Sequence, residues 1–266
     1  MSSPSITTAA DGPWIAHLDR ETKRFAEVVK RSPLPVHVPA YPDFTVHSLA
    51  VHIGRGLRLF HSIISTGIGS DSGELPAVEA PGGDEIADWV LAGLDPLVTL
   101  LGEVAADKPV PFPHQTGDRP AGLIAPLLAV EVGVHRWDLE SVLGEHDPIP
   151  ADLAVREVEN VFANFVPRLA GSGVADIGGT VWLRTTDTAS AWSARVADGR
   201  LVTEQATERP GDTAVVVTGT AQDLALLVWK RAVPPRPELE VTGAAYVLKR
   251  FLATDYIPDP RTTPAH

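Results

Sequence analysis

Residues 124–143, IAPLLAVEVGVHRWDLESVL, put ionisable side chains where a helix should bury its apolar face. At about 100° per residue, Ile124, Leu127, Leu128, Leu139 and Val142 form one apolar stripe, with Glu131, His135 and Asp138 in its middle. Arg136 and Glu140 point the other way and are read as solvated charges. A carboxylate inside a core is costly unless it is paired, protonated or bound to a metal. Glu131 and His135 stand four residues apart, so their side chains leave the same face one turn apart. That is the geometry two ligands need to share one cation. A Glu-x-x-x-His pair also arises commonly as an exposed ion pair, so a metal site needs a further ligand from elsewhere in the chain.

The chain has 266 residues, enough for one large domain or two ordinary ones. Its hydrophobic fraction of 44% and charged fraction of 21% are those of a globular protein. A net charge of -12 without a basic stripe argues against nucleic acid or an anionic membrane as partner. There are no cysteines, which excludes disulfides, iron–sulfur clusters, thiolate zinc sites and a cysteine nucleophile. Any thiol chemistry must therefore use a thiol from outside. The start, MSSPSITTAADGP, lacks the basic and apolar regions of a signal peptide. No apolar run approaches the roughly 20 residues that span a bilayer. Together these features predict a cytoplasmic protein.

Helical periodicity predicts four long helices in residues 1–147. The first runs through Trp14, Leu18, Phe25 and Val29, with Asp11 as cap. Ser32 to Pro42, rich in proline, reads as a bare connection. Asp43 or Thr45 caps a second helix running to about Thr66. His52 lies inside its apolar arc, whereas His47 and His61 lie outside it. Gly54 and Gly56 remove bulk beside His52, leaving room for a partner helix or a ligand. The commoner role for one buried histidine is a bond to a backbone carbonyl. A long polar loop, Gly67 to Gly83, precedes a third helix opened by Asp84. Asp118 is expected to start the fourth, which carries Glu131 and His135.

Gly144 to Pro150 reads as a linker, so the domains are expected at 1–147 and 148–266. In the second, a helix over Ala151–Ala170 gives way to a period of two. Thr180–Thr185, Ala191–Val196, Arg200–Thr203 and Thr213–Thr218 read as strands, with Asp198-Gly199 as a hairpin turn. A helix from Thr220 or Gln222, a short strand at Leu239–Val241 and a helix at Ala244–Leu252 complete the domain. The expected class is α+β: a four-helix bundle followed by a smaller α/β domain.

Bundle cores are where facing helices build metal sites. His52 with Glu131 and His135 supplies two imidazoles and a carboxylate. That set suits a divalent ion, zinc first, with a position left for water or substrate; other divalent metals accept the same donors. Asp138, one turn beyond His135, either fixes that imidazole through a hydrogen bond or makes an ordinary salt bridge.

At this point the chain resembles the mycothiol-dependent maleylpyruvate isomerase family, within the DinB-like helical bundles. The resemblance rests on LAVHIGRG around His52 and AVEVGVHRWDLESVLG around Glu131 and His135. TAVVVTGTAQDLALLVWKR and LEVTGAA carry it into the C-terminal half. It implies a metal-binding bundle joined to a domain resembling sterol-carrier proteins, with His52, Glu131 and His135 as ligands. It also implies chemistry with mycothiol, the cosubstrate thiol. In isomerisation the thiol adds to a double bond, the adduct turns about the resulting single bond, and the thiol leaves. In S-transfer to a small electrophile the adduct is the product. Asp138 and Arg231 are candidate catalytic residues under this reading. Lys230, with Arg231 beside it, is a candidate contact for an anionic group of the thiol or substrate. Their charges would equally suit a helix C-terminus. Two other readings stay open: a metallohydrolase in which water attacks an ester or amide, and a non-catalytic small-molecule-binding protein. A monomer or a homodimer is expected.

Overall fold

The computed structural model describes residues 12–69, 78–113, 117–169, 173–206, 208–231 and 235–257. The chain divides into two compact units between Asp147 and Pro148. The first is helical and the second α/β. Among the described residues no helix is long and apolar enough to cross a membrane.

In the first unit, α1 (Trp14–Arg31) buries Leu18, Phe25, Val28 and Val29. It begins after Pro13 without a side-chain cap; Asp11, the expected cap, lies outside the described residues. The expected bare connection after it is instead a small antiparallel hairpin, β1 (His37–Val38) with β2 (Tyr41–Thr45). Backbone bonds from Val46 to Val36 and from His47 to Leu34 bind it to the next helix. That helix, α2 (Val46–Thr66), starts on a capping box. The Thr45 hydroxyl accepts from the Ser48 N–H while Ser48 reaches back to the Thr45 N–H. Gly67 ends it with φ of 68°, a left-handed stop that favours glycine.

Next, α3 (Ile86–Glu103) opens two residues after Asp84 and contains Pro96. The expected helix start at Asp118 is not found. Asp118–Pro120 is a strand, β4, antiparallel to β3 (Pro109–Pro111). A short 3-10 turn, Ala121–Leu123, then leads into α4 (Ile124–Glu140). Helix α1 packs along α3 and α4, and α2 along α3.

Helix α4 is enclosed nearly all round. Every residue from Ile124 to Glu140 is buried except Leu127 and Glu131, which are half-buried. Arg136 and Glu140 are therefore not solvated, contrary to expectation. Glu21 on α1 supplies the reason: Arg136 Nε donates to Glu21 Oε2 (2.7 Å) and Nη1 to Glu140 Oε2 (2.6 Å). Nη1 also reaches the Asp147 carbonyl (3.0 Å). Burial opposes the charge on Arg136, and the two carboxylates more than offset it, raising its pKa further.

In the second unit, α5 (Ala151–Asn160) runs on into a π turn, Val161–Phe165, and a 3-10 turn, Val166–Leu169. A five-stranded sheet follows, built from β5 (Thr180–Thr185), β6 (Ala191–Ala197), β7 (Arg200–Gln205), β8 (Thr213–Gly219) and β9 (Glu240–Gly243). Its order is β7-β6-β5-β8-β9, antiparallel except for the parallel pair β5–β8. Register puts Val181, Leu183, Trp192, Ala194, Val215 and Val217 on one face, and all six are buried. Helices α6 (Ala221–Val228) and α7 (Ala245–Ala253) pack against β5 and β8. Asp198 and Gly199 both have positive φ, 50° and 68°, as the predicted two-residue hairpin turn requires.

Candidate metal centre

Two helices of the first unit bring three donors together. His52 comes from the second turn of α2, whose start is set by the Thr45–Ser48 box. Glu131 and His135 come from consecutive turns of α4. One atom each from His52, Glu131 and His135 lies within 4.8 Å of the other two. Nε2 of His52 is 3.1 Å from Glu131 Oε1, and Nε2 of His135 is 3.3 Å from the same oxygen. Ligands about 2.0–2.1 Å from a tetrahedral ion stand roughly 3.3 Å apart, so the spacing fits a shared divalent cation.

Polarity is arranged to match. Asp138, fully buried, holds Nδ1 of His135 at 3.1 Å through Oδ2. This turns Nε2 towards Glu131, the role a carboxylate plays behind a ligating imidazole. Burial works against a charged His135, but its hydrogen bonds to Asp138 and Glu131 win and raise its pKa to about 9. Burial likewise disfavours the Glu131 carboxylate, yet bonds to His135 and His52 hold it well below the usual carboxylate range. In this state a proton on His135 does part of what a cation would do. The side chains of His52 and Glu131 are 35% and 29% exposed while His135 is 8% exposed, so among the described residues the cluster is reached past His52 and Glu131.

The structure brings together His52, Glu131, His135 and Asp138. His47 turns away, its Nε2 2.8 Å from the Pro81 carbonyl, and His61 is not part of the cluster. Of the two glycines, Gly54 makes room for a packing partner rather than a ligand: an added Cβ would lie 2.1 Å from the Trp89 ring. Among the described residues nothing lies within 4 Å of the corresponding point at Gly56. Lys230 and Arg231 belong to the second unit. Lys230 has left-handed backbone (φ 60°), and its Nζ donates to the Thr254 carbonyl (2.8 Å) and sits over the Tyr256 ring. Burial lowers its pKa. Arg231 Nη1 donates to the Trp229 carbonyl at 2.8 Å.

Two residues beside the cluster escaped the sequence reading. Tyr41 and Phe44, on β2, put their rings 5.8 Å from His135 and 5.6 Å from His52 respectively. The available signal was an aromatic pair just ahead of the helix that bears His52.

Comparison with known proteins agrees with this architecture. The family model for the mycothiol maleylpyruvate isomerase N-terminal domain matches residues 15–140. The model for the MDMPI C-terminal domain matches residues 152–250. The crystal structure of a mycothiol-dependent maleylpyruvate isomerase superposes with TM-score 0.57 at 14% identity, over 89% of this chain and 96% of that one. A histidine-to-alanine mutant of such an isomerase gives TM-score 0.56 at 14% identity, over 87% and 99%. At that identity these likenesses speak to fold. No curated protein matches in sequence. The two domain models, in order and over most of the chain, place the protein in the mycothiol-dependent maleylpyruvate isomerase family of enzymes.

Proposed function

We propose that this protein is a metal-dependent enzyme that uses mycothiol on a small electrophile, by cis–trans isomerisation or by S-transfer. The observation that carries the reading is the convergence of His52, Glu131 and His135 within one coordination sphere. Solved structures with the same fold include mycothiol-dependent maleylpyruvate isomerases, which supports the choice of thiol.

The chain's composition says where the sulfur of such a reaction comes from. A covalent thiol reaction needs a sulfur nucleophile, and this chain has no cysteine and one methionine. The thiol must come in as a cosubstrate. A divalent ion, zinc first by donor type, would be held by His52, Glu131 and His135 and would favour thiolate over thiol near neutral pH. Glu131 contributes negative charge that keeps the cation bound without a thiolate ligand from the protein. Asp138 keeps the Nδ1 proton on His135, so that Nε2 is the nitrogen presented to the ion. The opening beside His52 and Glu131 admits the thiol and the electrophile. Lys230 and Arg231 are assigned to an anionic group of the thiol or substrate, a role in which they would exchange their bonds to the Thr254 and Trp229 carbonyls. We place the reaction in the cytoplasm, the reducing compartment in which a low-molecular-weight thiol cosubstrate stays reduced.

The test is a rate measurement on metal-loaded protein with mycothiol, with a small generic thiol and with none. The expected result is turnover that needs both metal and thiol, fastest with mycothiol because its remaining groups orient the sulfur. Equal rates with and without thiol would replace this reading with a metallohydrolase.

A further inference from the structure

Two imidazoles and a carboxylate around an open position serve a hydrolase as readily as a thiol enzyme. The donors alone do not choose between water and sulfur. Their surroundings can. Tyr41 and Phe44 stack on each other with ring centroids 5.2 Å apart. Phe44 lies 5.6 Å from His52 and 6.2 Å from His135, and Tyr41 lies 5.8 Å from His135. The two rings thus form one continuous aromatic wall beside both imidazoles.

The wall is anchored at both ends to the elements that carry the donors. At one end Thr45, next to Phe44, is the cap of α2. At the other, the Ala40 N–H donates to Ser141 Oγ (3.2 Å), and that hydroxyl donates to the Asp138 carbonyl (2.5 Å). Asp138 in turn holds His135. The hairpin is therefore tied to both helices that carry the donors.

A water held in a protein interior typically makes about two to four hydrogen bonds, and the face of an aromatic ring is a poor substitute for such partners. A thiol sulfur is soft, polarisable and gains from ring contacts at about 5 Å. We infer that Tyr41 and Phe44 are specificity-determining residues that make this site accept a thiol's sulfur in preference to water. The inference rests on the thiol-using function proposed above and assigns the discrimination to two residues of the hairpin.

The experiment uses the full chain loaded with cobalt(II), whose sulfur-to-cobalt charge-transfer band reports thiol binding without turnover. 2-Mercaptoethanol is titrated into the wild type, Phe44→Ala, Phe44→Leu and Tyr41→Leu, with cobalt content measured for each. The wild type should give a saturable band. Loss of one ring should weaken thiol binding roughly two- to tenfold at unchanged cobalt content. Thiol-independent hydrolysis of p-nitrophenyl acetate should rise in Phe44→Ala. Phe44→Leu and Tyr41→Leu keep apolar bulk, so they carry the comparison if Phe44→Ala loses cobalt. Thiol affinity equal to wild type in the ring-deleted variants would overturn the inference while leaving the thiol reading intact. A cobalt-loaded wild type that shows no band at saturating thiol would remove that reading, and the inference with it.

Discussion

Replacing Arg136 by methionine tests the account of the bundle most directly. The guanidinium is fully buried between Glu21 of α1 and Glu140 of α4, at 2.7 and 2.6 Å. Glu21 is fully buried too, and its other oxygen accepts from Arg20 at 3.0 Å. Methionine fills similar space but leaves both carboxylates without their shared cation. Breaking a buried pair from one side costs about 3–5 kcal/mol, mainly because the remaining charge is stranded. At about 2–4 °C per kcal/mol for a unit of this size, the bundle should melt about 6–20 °C lower. Calorimetry is the appropriate assay, since the two units need not unfold together. Arg136→Lys should fall between, because a lysine keeps the charge but not the planar fork that reaches both carboxylates. Replacing Glu21, Arg136 and Glu140 together by apolar residues of similar volume should recover much of the loss. A bundle transition in Arg136→Met within about 1 kcal/mol of wild type would refute the idea that this cluster fixes α1 against α4.

The metal assignment predicts about one divalent ion per chain. His135→Ala should lose it to chelators while His47→Ala and His61→Ala keep it; metal retention by His135→Ala would refute the ligand set. Asp138→Asn should weaken binding roughly 10–100-fold, read by competition with a chromophoric chelator, and an unchanged affinity would make Asp138 a structural group only. Because the metal-free His135 has a pKa of about 9, an incoming cation displaces a proton, and apparent affinity should fall about tenfold per pH unit below that value. In the metal-free protein the same raised pKa stabilises the fold fully below its ordinary 6.5 and is lost as pH rises through about 9. Gly54→Ala should destabilise by about 1–3 kcal/mol, because its Cβ would meet the Trp89 ring. Gly56→Ala, with open space, should stabilise α2 by about 0.5–1 kcal/mol; equal denaturation midpoints for the two variants would count against the packing described.

What could be read in the sequence was what short-range rules govern. A cap at Asp43 or Thr45, of which Thr45 is used, and the Asp198-Gly199 turn follow from side-chain chemistry within a few residues. The strands of the second unit follow from a period of two. His52 could be preferred over His47 and His61 because an apolar arc marks which side of α2 faces the core. The failures have two physical sources, contact between distant parts of the chain and strands too short to show a pattern. Arg136 looked solvated because its neighbours along α4 offered no buried partner except Glu140. Its other partner, Glu21, lies 115 residues away. The stripe holding Leu127 and Glu131, by contrast, is the half-open side of α4. The two small hairpins were missed because strands of two to five residues interrupted by proline carry no alternation. Tyr41 and Phe44 were missed with them.

The parallel pair β5–β8 has a consequence for how the second unit assembles. Strand β6 can join β5, and β7 can join β6, by local antiparallel closure. Strand β8 instead has to reach the far side of β5 after the chain has passed through β6 and β7, which puts its pairing at large sequence separation. Contacts of that kind form late, because the loop must close before they contribute. A β6–β7 hairpin already turned at Asp198-Gly199 shortens that loop. Changes at this turn should therefore slow folding, while changes on β9 should act mainly on the rate of unfolding.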